Sequence, residues 1–182
     1  MSSRRRSEAS PSIANRLMSW LQGSTRQFQR FPYSAVALLA RFSLAGVFWR
    51  SGQTKVEGFA LDLVEGRFEW GWPRLSDTAV ALFRDEYRLP LLPPELGASL
   101  AAVGEHLLPL LLLLGLATRL SAFGLLGMTA VIQLLVYPGA WPTHGVWAAL
   151  LLMLMTRGAG TLSLDHLLGS RSAPSAGVDR PR

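Results

Sequence analysis

The stretch LGASLAAVGEHLLPLLLLLGLATRLSAFGLLGMTAVIQLLVY, residues 96–137, is apolar almost throughout; its exceptions include Glu105 and His106, Arg119 at a break, and Gln133 beyond it. A helix crossing the hydrocarbon core of a bilayer needs roughly 20 apolar residues. Leu96–Thr118 and Leu120–Tyr137 supply two such lengths in succession, with Thr118-Arg119 expected as the tight turn between them. A helix of a soluble core interleaves polar residues on its outer face, whereas Leu107–Leu116 (LLPLLLLLGL) is apolar on every side. The stretch therefore reads as a membrane hairpin carrying a buried carboxylate.

Two weaker spans flank it, 33–51, interrupted by Arg41 and Arg50, and 142–157, whose early ionisable residue is His144. The expected fold is all-α: a four-helix transmembrane bundle over 33–168, with an external amphipathic segment, 52–95, between the first two spans. The overall composition, 49% hydrophobic and 16% charged, would also suit a soluble domain. The charge is segregated, however, into a basic arm (1–32), the segment 55–95 and the tail (169–182), which leaves the spans nearly bare.

A formal charge of +6 and a sequence pI near 11.0 raise the question of nucleic-acid binding, which the location of the arginines answers. Arg4, Arg5, Arg6, Arg16, Arg26 and Arg30 precede the first span, opposed by Glu8, as expected of a cytoplasmic flank. The segment after that span is net acidic, Arg119 and Arg157 again follow inward crossings, and PGAWPTH (138–144) has no Lys or Arg. The expectation is a multi-pass protein of a bacterial inner membrane, both termini cytoplasmic, with no nucleic-acid partner. No cleavable signal peptide is expected, since residues 1–30 lack an apolar core. Cysteine is absent, which excludes disulfides, thiolate metal sites and a cysteine nucleophile.

Within the arm, Ile13, Leu17, Trp20 and Leu21 fall at helical spacing. They suit either a short interfacial helix or a tail that touches anionic lipid by charge alone. The external segment carries Phe59, Phe68, Trp70, Trp72, Phe83 and Tyr87; Gly58–Trp72 reads as extended, and Ser76-Asp77 can cap a helix from Thr78 to Tyr87. Pro90, Pro93 and Pro94 then start the second span. After the fourth, Gly158-Ala159-Gly160 is a stop signal and Ser163 can cap a final turn through His166 and Leu168.

Ionisable residues inside a membrane usually face a partner and mark a functional position. Glu105 lies about 15 Å in from the outer end of its span and Arg41 about 12 Å in from the inner end of its own. Arg41, Glu105 and Gln133 thus form a candidate polar membrane site in which Arg41 and Glu105 pair. Pro109 cannot donate to the carbonyl of residue 105, which leaves an acceptor free beside the carboxylate. Two readings stay open: a satisfied polar knot that fixes helix packing, or a place for substrate or proton. A second constellation is expected at the outer rim, comprising Arg50, Lys55, Arg84, Asp85, Glu86, Tyr87, Trp141 and His144. With three histidines and no cysteine, a dedicated metal site is not expected, and no Walker loop, dinucleotide fingerprint, HExxH or nucleophile elbow is present.

Several elements, taken in order, resemble the DoxX family of small four-helix membrane proteins. They are Arg41 with Gly46, the Ser51-Gly52-x-x-Lys55 element, Glu105, the run Gly115–Arg119 (GLATR), and Gly158, Gly160, Ser163, Leu164 and Asp165 after the fourth span. The FRDEY run (83–87), LPLLPPE (89–95) and YPGAWPTH (137–144) resemble a branch that accompanies modified-peptide systems linked to metal or oxidative stress. The resemblance implies an accessory membrane component with protein partners in the membrane or periplasm, able to form homo-oligomers, and not an enzyme on its own. The alternative it implies is a membrane subunit of a quinone-linked oxidoreductase such as thiosulfate:quinone oxidoreductase, with quinone near Glu105. No haem, flavin or iron–sulfur signature accompanies it. A small-solute or lipid transporter is a third reading, disfavoured by the lack of a duplicated half.

Overall fold

The computed structural model describes Met18, Trp20, residues 30–62 and residues 65–171. The chain forms two compact units, Met1–Tyr33 and Ser34–Arg182. Of the basic arm, Met18 and Trp20 are helical and exposed; Ile13, Leu17 and Leu21 lie outside the described residues, as does the tail from 172 onward. The larger unit contains α1 (Tyr33–Gln53), strands β1 (Val56–Asp62) and β2 (Arg67–Leu75), a short α2 (Asp77–Leu82), α3 (Pro94–Leu114), α4 (Thr118–Val131), α5 (Trp141–Arg157) and α6 (Leu164–Arg171).

The four long helices pack in a ring. Phe48 of α1 meets Trp147 of α5 at a ring separation of 5.6 Å, α4 packs on both α3 and α5, and α1 is tied to α3 by polar side chains described below. Small residues permit the α3–α4 approach: a Cβ on Gly124 would stand 2.8 Å from Leu108, and one on Gly104 would stand 3.1 Å from the Met128 sulfur. The shared interior is made of alanine and leucine, among them Ala37, Leu44, Ala98, Leu112, Ala122, Leu125 and Leu151.

Among the described residues, two helices are long and apolar enough to cross a membrane, Pro94–Leu114 and Thr118–Val136, yet only 33% and 22% of their most apolar stretches are buried. A core helix of a soluble protein would turn such residues inward; here Leu107, Leu110, Leu120, Phe123 and Leu134 face outward. The other two long helices fall short of that measure. In α1 the two arginines depress the hydropathy, and α5 has 17 residues.

Three features differ from the sequence expectation. The all-α assignment needs amending, because β1 and β2 form an antiparallel two-stranded sheet. The period-two placement of Phe68, Trp70 and Trp72 favours a strand, and the register break between Glu57 and Phe59 falls where Gly58 takes φ +81°. The capped helix begins where expected, with Ser76 Oγ accepting from the Ala79 N–H at 3.2 Å. It then widens into a π-helical turn over Phe83–Tyr87. A matching wide turn, Ile132–Val136, ends α4.

The tight turn lies earlier than Thr118-Arg119: it is Gly115–Ala117, and Thr118 already starts α4. Gly115 at φ +67° closes α3 with N–H bonds from Gly115 to Leu112 O and from Leu116 to Leu111 O, a Schellman closure. Across the structure, Asp165 accepts from the N–H groups of Ala117 (2.8 Å) and Thr118 (2.9 Å), capping a helix that has no cap of its own. The expected Ser163 cap is present, accepting from the His166 N–H, and the helix it starts continues to Arg171.

Burial alone would raise the Asp165 carboxyl, but the Thr118 and Ala117 N–H donors and the Arg41 charge together hold it below the usual carboxylate range. Its contribution to stability is therefore complete above that range and is lost as pH falls through the depressed folded value. Asp165→Ala should cost about 1–2 kcal/mol at neutral pH, as cap removals do. In detergent melts, the gap between variant and parent should close on acidification.

Candidate functional site

The buried polar residues gather into separate clusters, and the expected pair of Arg41 and Glu105 does not form. Glu105 Oε2 lies 2.6 Å from Lys55 Nζ, with the two side chains 3% and 4% exposed. The ammonium also donates to Ser51 Oγ (3.1 Å) and Ser51 O (3.2 Å), so its three protons all have acceptors. Lys55, expected at the outer rim, instead folds back over the C-terminus of α1 into the interior. Gly52 makes this possible, since a Cβ there would stand 2.8 Å from the His106 ring and 3.1 Å from Glu105 Cβ.

His106, one residue on, is held by a directional chain. The N–H of Leu61 donates to Gln53 Oε1 (2.7 Å), which turns the Gln53 amide nitrogen toward His106 Nε2 (2.8 Å). Nδ1 then carries the proton and donates to Ala102 O (2.7 Å). The Leu61 carbonyl accepts from Trp49 Nε1 (2.9 Å), and the Trp49 ring meets His106 edge-on at 5.0 Å. Side chains of α1 thus satisfy the open edge of β1, and the sheet is fixed to α1 and α3 at the level of Glu105.

Arg41 is satisfied elsewhere, about 10 Å further along α3. Its guanidinium donates to Leu112 O (2.8 Å), Leu113 O (2.6 Å), Leu162 O (2.7 Å) and Ala159 O (3.2 Å), and it is 2% exposed. These are carbonyls at the end of α3 and in the loop after α5, where helix hydrogen bonding runs out. Gly115 and Gly160 keep the knot tight: a Cβ on Gly115 would stand 2.5 Å from Ser163 Cβ, and one on Gly160 would stand 2.9 Å from Ser34 Cα.

Gln133 joins neither residue. Its amide nitrogen donates to Pro138 O (2.7 Å), and its Oε1 accepts from Nδ1 of His144 (2.8 Å), which is buried beside Trp147. The outer-rim set is likewise dispersed. Arg50 pairs with Glu65 (3.0 Å) and Asp62 (3.8 Å), Arg84 pairs with Glu95 (3.0 Å), and Trp141 is exposed. Asp85 lends its carbonyl to Arg88 Nε, while the Tyr137 hydroxyl donates to Glu86 and its ring packs on Tyr87. Among the described residues, no group of three His, Asp or Glu side chains could hold a metal ion.

Beside the Lys55–Glu105 pair lies a cavity of about 290 Å³, walled by Phe83, Tyr87, Leu100, Met128 and Ile132, with Glu105 as the single charged residue in its lining. Sequence reasoning had Glu105 but missed Lys55 as its partner. The signal was the Ser51-to-Lys55 spacing at a helix C-terminus, where a lysine four residues on can return to the last turn.

The family model described as DoxX matches residues 36–138, more than half of the chain. The chain belongs to the DoxX family, and with its two outward-facing apolar helices it is a membrane protein of that family. The match includes Arg41, Lys55, Glu105, Gly115 and Gln133 and stops short of Trp141, His144 and Asp165. No curated protein and no solved structure matches the chain.

Removing one partner of a buried ion pair leaves an uncompensated charge and costs about 3–5 kcal/mol, whereas replacing both by apolar residues is often near neutral. Glu105→Gln should therefore destabilise the protein by that amount in detergent denaturation, and Glu105→Leu combined with Lys55→Met should recover most of it. Equal loss in the single and double variants would rule out mutual compensation.

Proposed function

We propose that the chain is a four-span accessory protein of a bacterial inner membrane, with both termini cytoplasmic, serving a stress-response or modified-peptide system that handles metal. The basic arm, Arg119 and Arg157 support that orientation by the positive-inside bias. The observation that carries the reading is the meeting of three sequence elements at one junction. FRDEY supplies Arg84, Glu86 and Tyr87; LPLLPPE supplies Glu95, the partner of Arg84; and YPGAWPTH supplies Tyr137, the partner of Glu86 and Tyr87. β2, whose last residue Leu75 packs against Ala79 and Phe83, displays Phe68, Trp70 and Trp72, 56%, 79% and 86% exposed, on a sheet that Trp49 and Gln53 hold in place. A fixed aromatic ridge of this kind suits a protein partner.

Tryptophan anchors at interfaces are worth about 2 kcal/mol or more each. Trp70→Ser with Trp72→Ser should cut recovery of crosslinked partner by at least roughly thirtyfold, with membrane insertion unchanged. Recovery at the parent level would count against the docking role.

The cavity beside Glu105 favours a second reading, a membrane subunit of a quinone-linked oxidoreductase. An apolar pocket with one ionisable group suits a lipophilic ring that exchanges a proton. Glu105→Gln combined with Lys55→Met, which leaves neither charge unpaired, should abolish quinone-coupled turnover of the assembled complex. Parent-level turnover in that double variant would exclude the reading.

A further inference from the structure

On the side of α3 away from the Glu105 cavity, two grooves run under the sheet. One, about 720 Å³, is bounded by Val56 and Phe59 of β1, Arg74 and Leu75 of β2, and Ser99 and Val103 of α3. The other, about 330 Å³, is bounded by Leu61 and Asp62 of β1, Phe42 and Gly46 of α1, and Pro109 and Leu113 of α3. Both include Trp49 and Leu110 in their walls, so they adjoin along α3 and together make one apolar track. From Ser99 to Leu113 that track follows α3 for about 21 Å, the reach of a long acyl chain.

The charges along the track are unequal. At one end Arg50 is neutralised by Asp62 and Glu65. At the other, the Arg74 guanidinium has no hydrogen bond or ion pair among the described residues; Glu57, its register partner in the sheet, forms none with it. Gly46 meets nothing within 4 Å of a notional Cβ, which leaves the far end of the track open. The track therefore has a free cation at one end, an apolar floor, and at the other end one arginine held by two carboxylates.

We propose that an anionic phospholipid binds here, its phosphate on Arg74 and one acyl chain lying between β1 and α3. The site is lateral, open to the bilayer past Val103 and Leu107, which are 62% and 50% exposed. The inference rests on the membrane location of the chain and not on the accessory or quinone-linked role, so it stands or falls separately from them.

The test uses the full chain reconstituted in vesicles of equal parts palmitoyl-oleoyl phosphatidylglycerol and palmitoyl-oleoyl phosphatidylcholine. The protein is extracted in mild detergent and its retained lipid is quantified by mass spectrometry. One arginine facing an anionic headgroup should enrich phosphatidylglycerol roughly fivefold. Arg74→Gln should return the ratio to that of the vesicle, and Arg74→Lys should keep the enrichment. Val103→Trp, at an exposed position that tolerates bulk, should lower total retained lipid with an unchanged circular dichroism spectrum. A vesicle-like ratio in the parent, enrichment that survives Arg74→Gln, or lipid retention indifferent to Val103→Trp would each overturn the proposal.

Discussion

A lysine and a glutamate, each nearly sealed from solvent and 2.6 Å apart, persist in an apolar interior only as mutual counter-charges. That condition fixes more than a contact. Lys55 lies just past the end of α1, so satisfying Glu105 forces α1 to stop level with the middle of α3, and Gly52 clears the space for it. From there α3 continues for about 16 Å to its start at Pro94, with no α1 beside it. α2 and the π-helical turn after it occupy that vacancy: Phe83 packs over Gly97, where a Cβ would stand 2.8 Å from its ring.

The opposite end obeys a different rule. Helix termini leave carbonyls in need of partners, and Arg41 donates to two at the end of α3 and to two more in the loop after α5. Asp165 performs the complementary task for the N–H groups that start α4. The elements around Arg41, Gly115, Gly160, Ser163 and Asp165, scattered through the sequence, are thus parts of one knot. Their shared requirement is geometric: close approach of backbones, a planar donor that can reach several carbonyls, and a carboxylate at a helix start.

Much of this was legible in the chain itself. Continuous apolarity from residue 96 gave the two long helices, Ser76 and Ser163 gave the caps of the two short ones, and Gly158 gave the stop of α5. The partners of the charged residues were not legible. Depth taken from span ends at a constant rise holds only where all spans begin and end in common planes. Because α1 ends level with the middle of α3, Arg41 met the end of α3 and Glu105 met Lys55. The extended chain over Gly58–Trp72 is legible, but its pairing into a sheet is not, since Gly58 and the break in register interrupt the alternation along β1.

The two π-helical turns connect the halves of this picture. Phe83–Tyr87 and Ile132–Val136 belong to elements far apart in sequence, yet both supply walls to the cavity that contains Glu105. Such turns are uncommon and tend to be kept where function needs a widened backbone. Each ends in a residue that locks the other: Tyr87 packs on Tyr137, and Tyr137 donates to Glu86. The FRDEY run therefore shapes the mouth of a pocket whose charged group lies on α3. Substitutions within that run would alter the wall of this cavity while leaving the Lys55–Glu105 pair, which the run does not touch, in place.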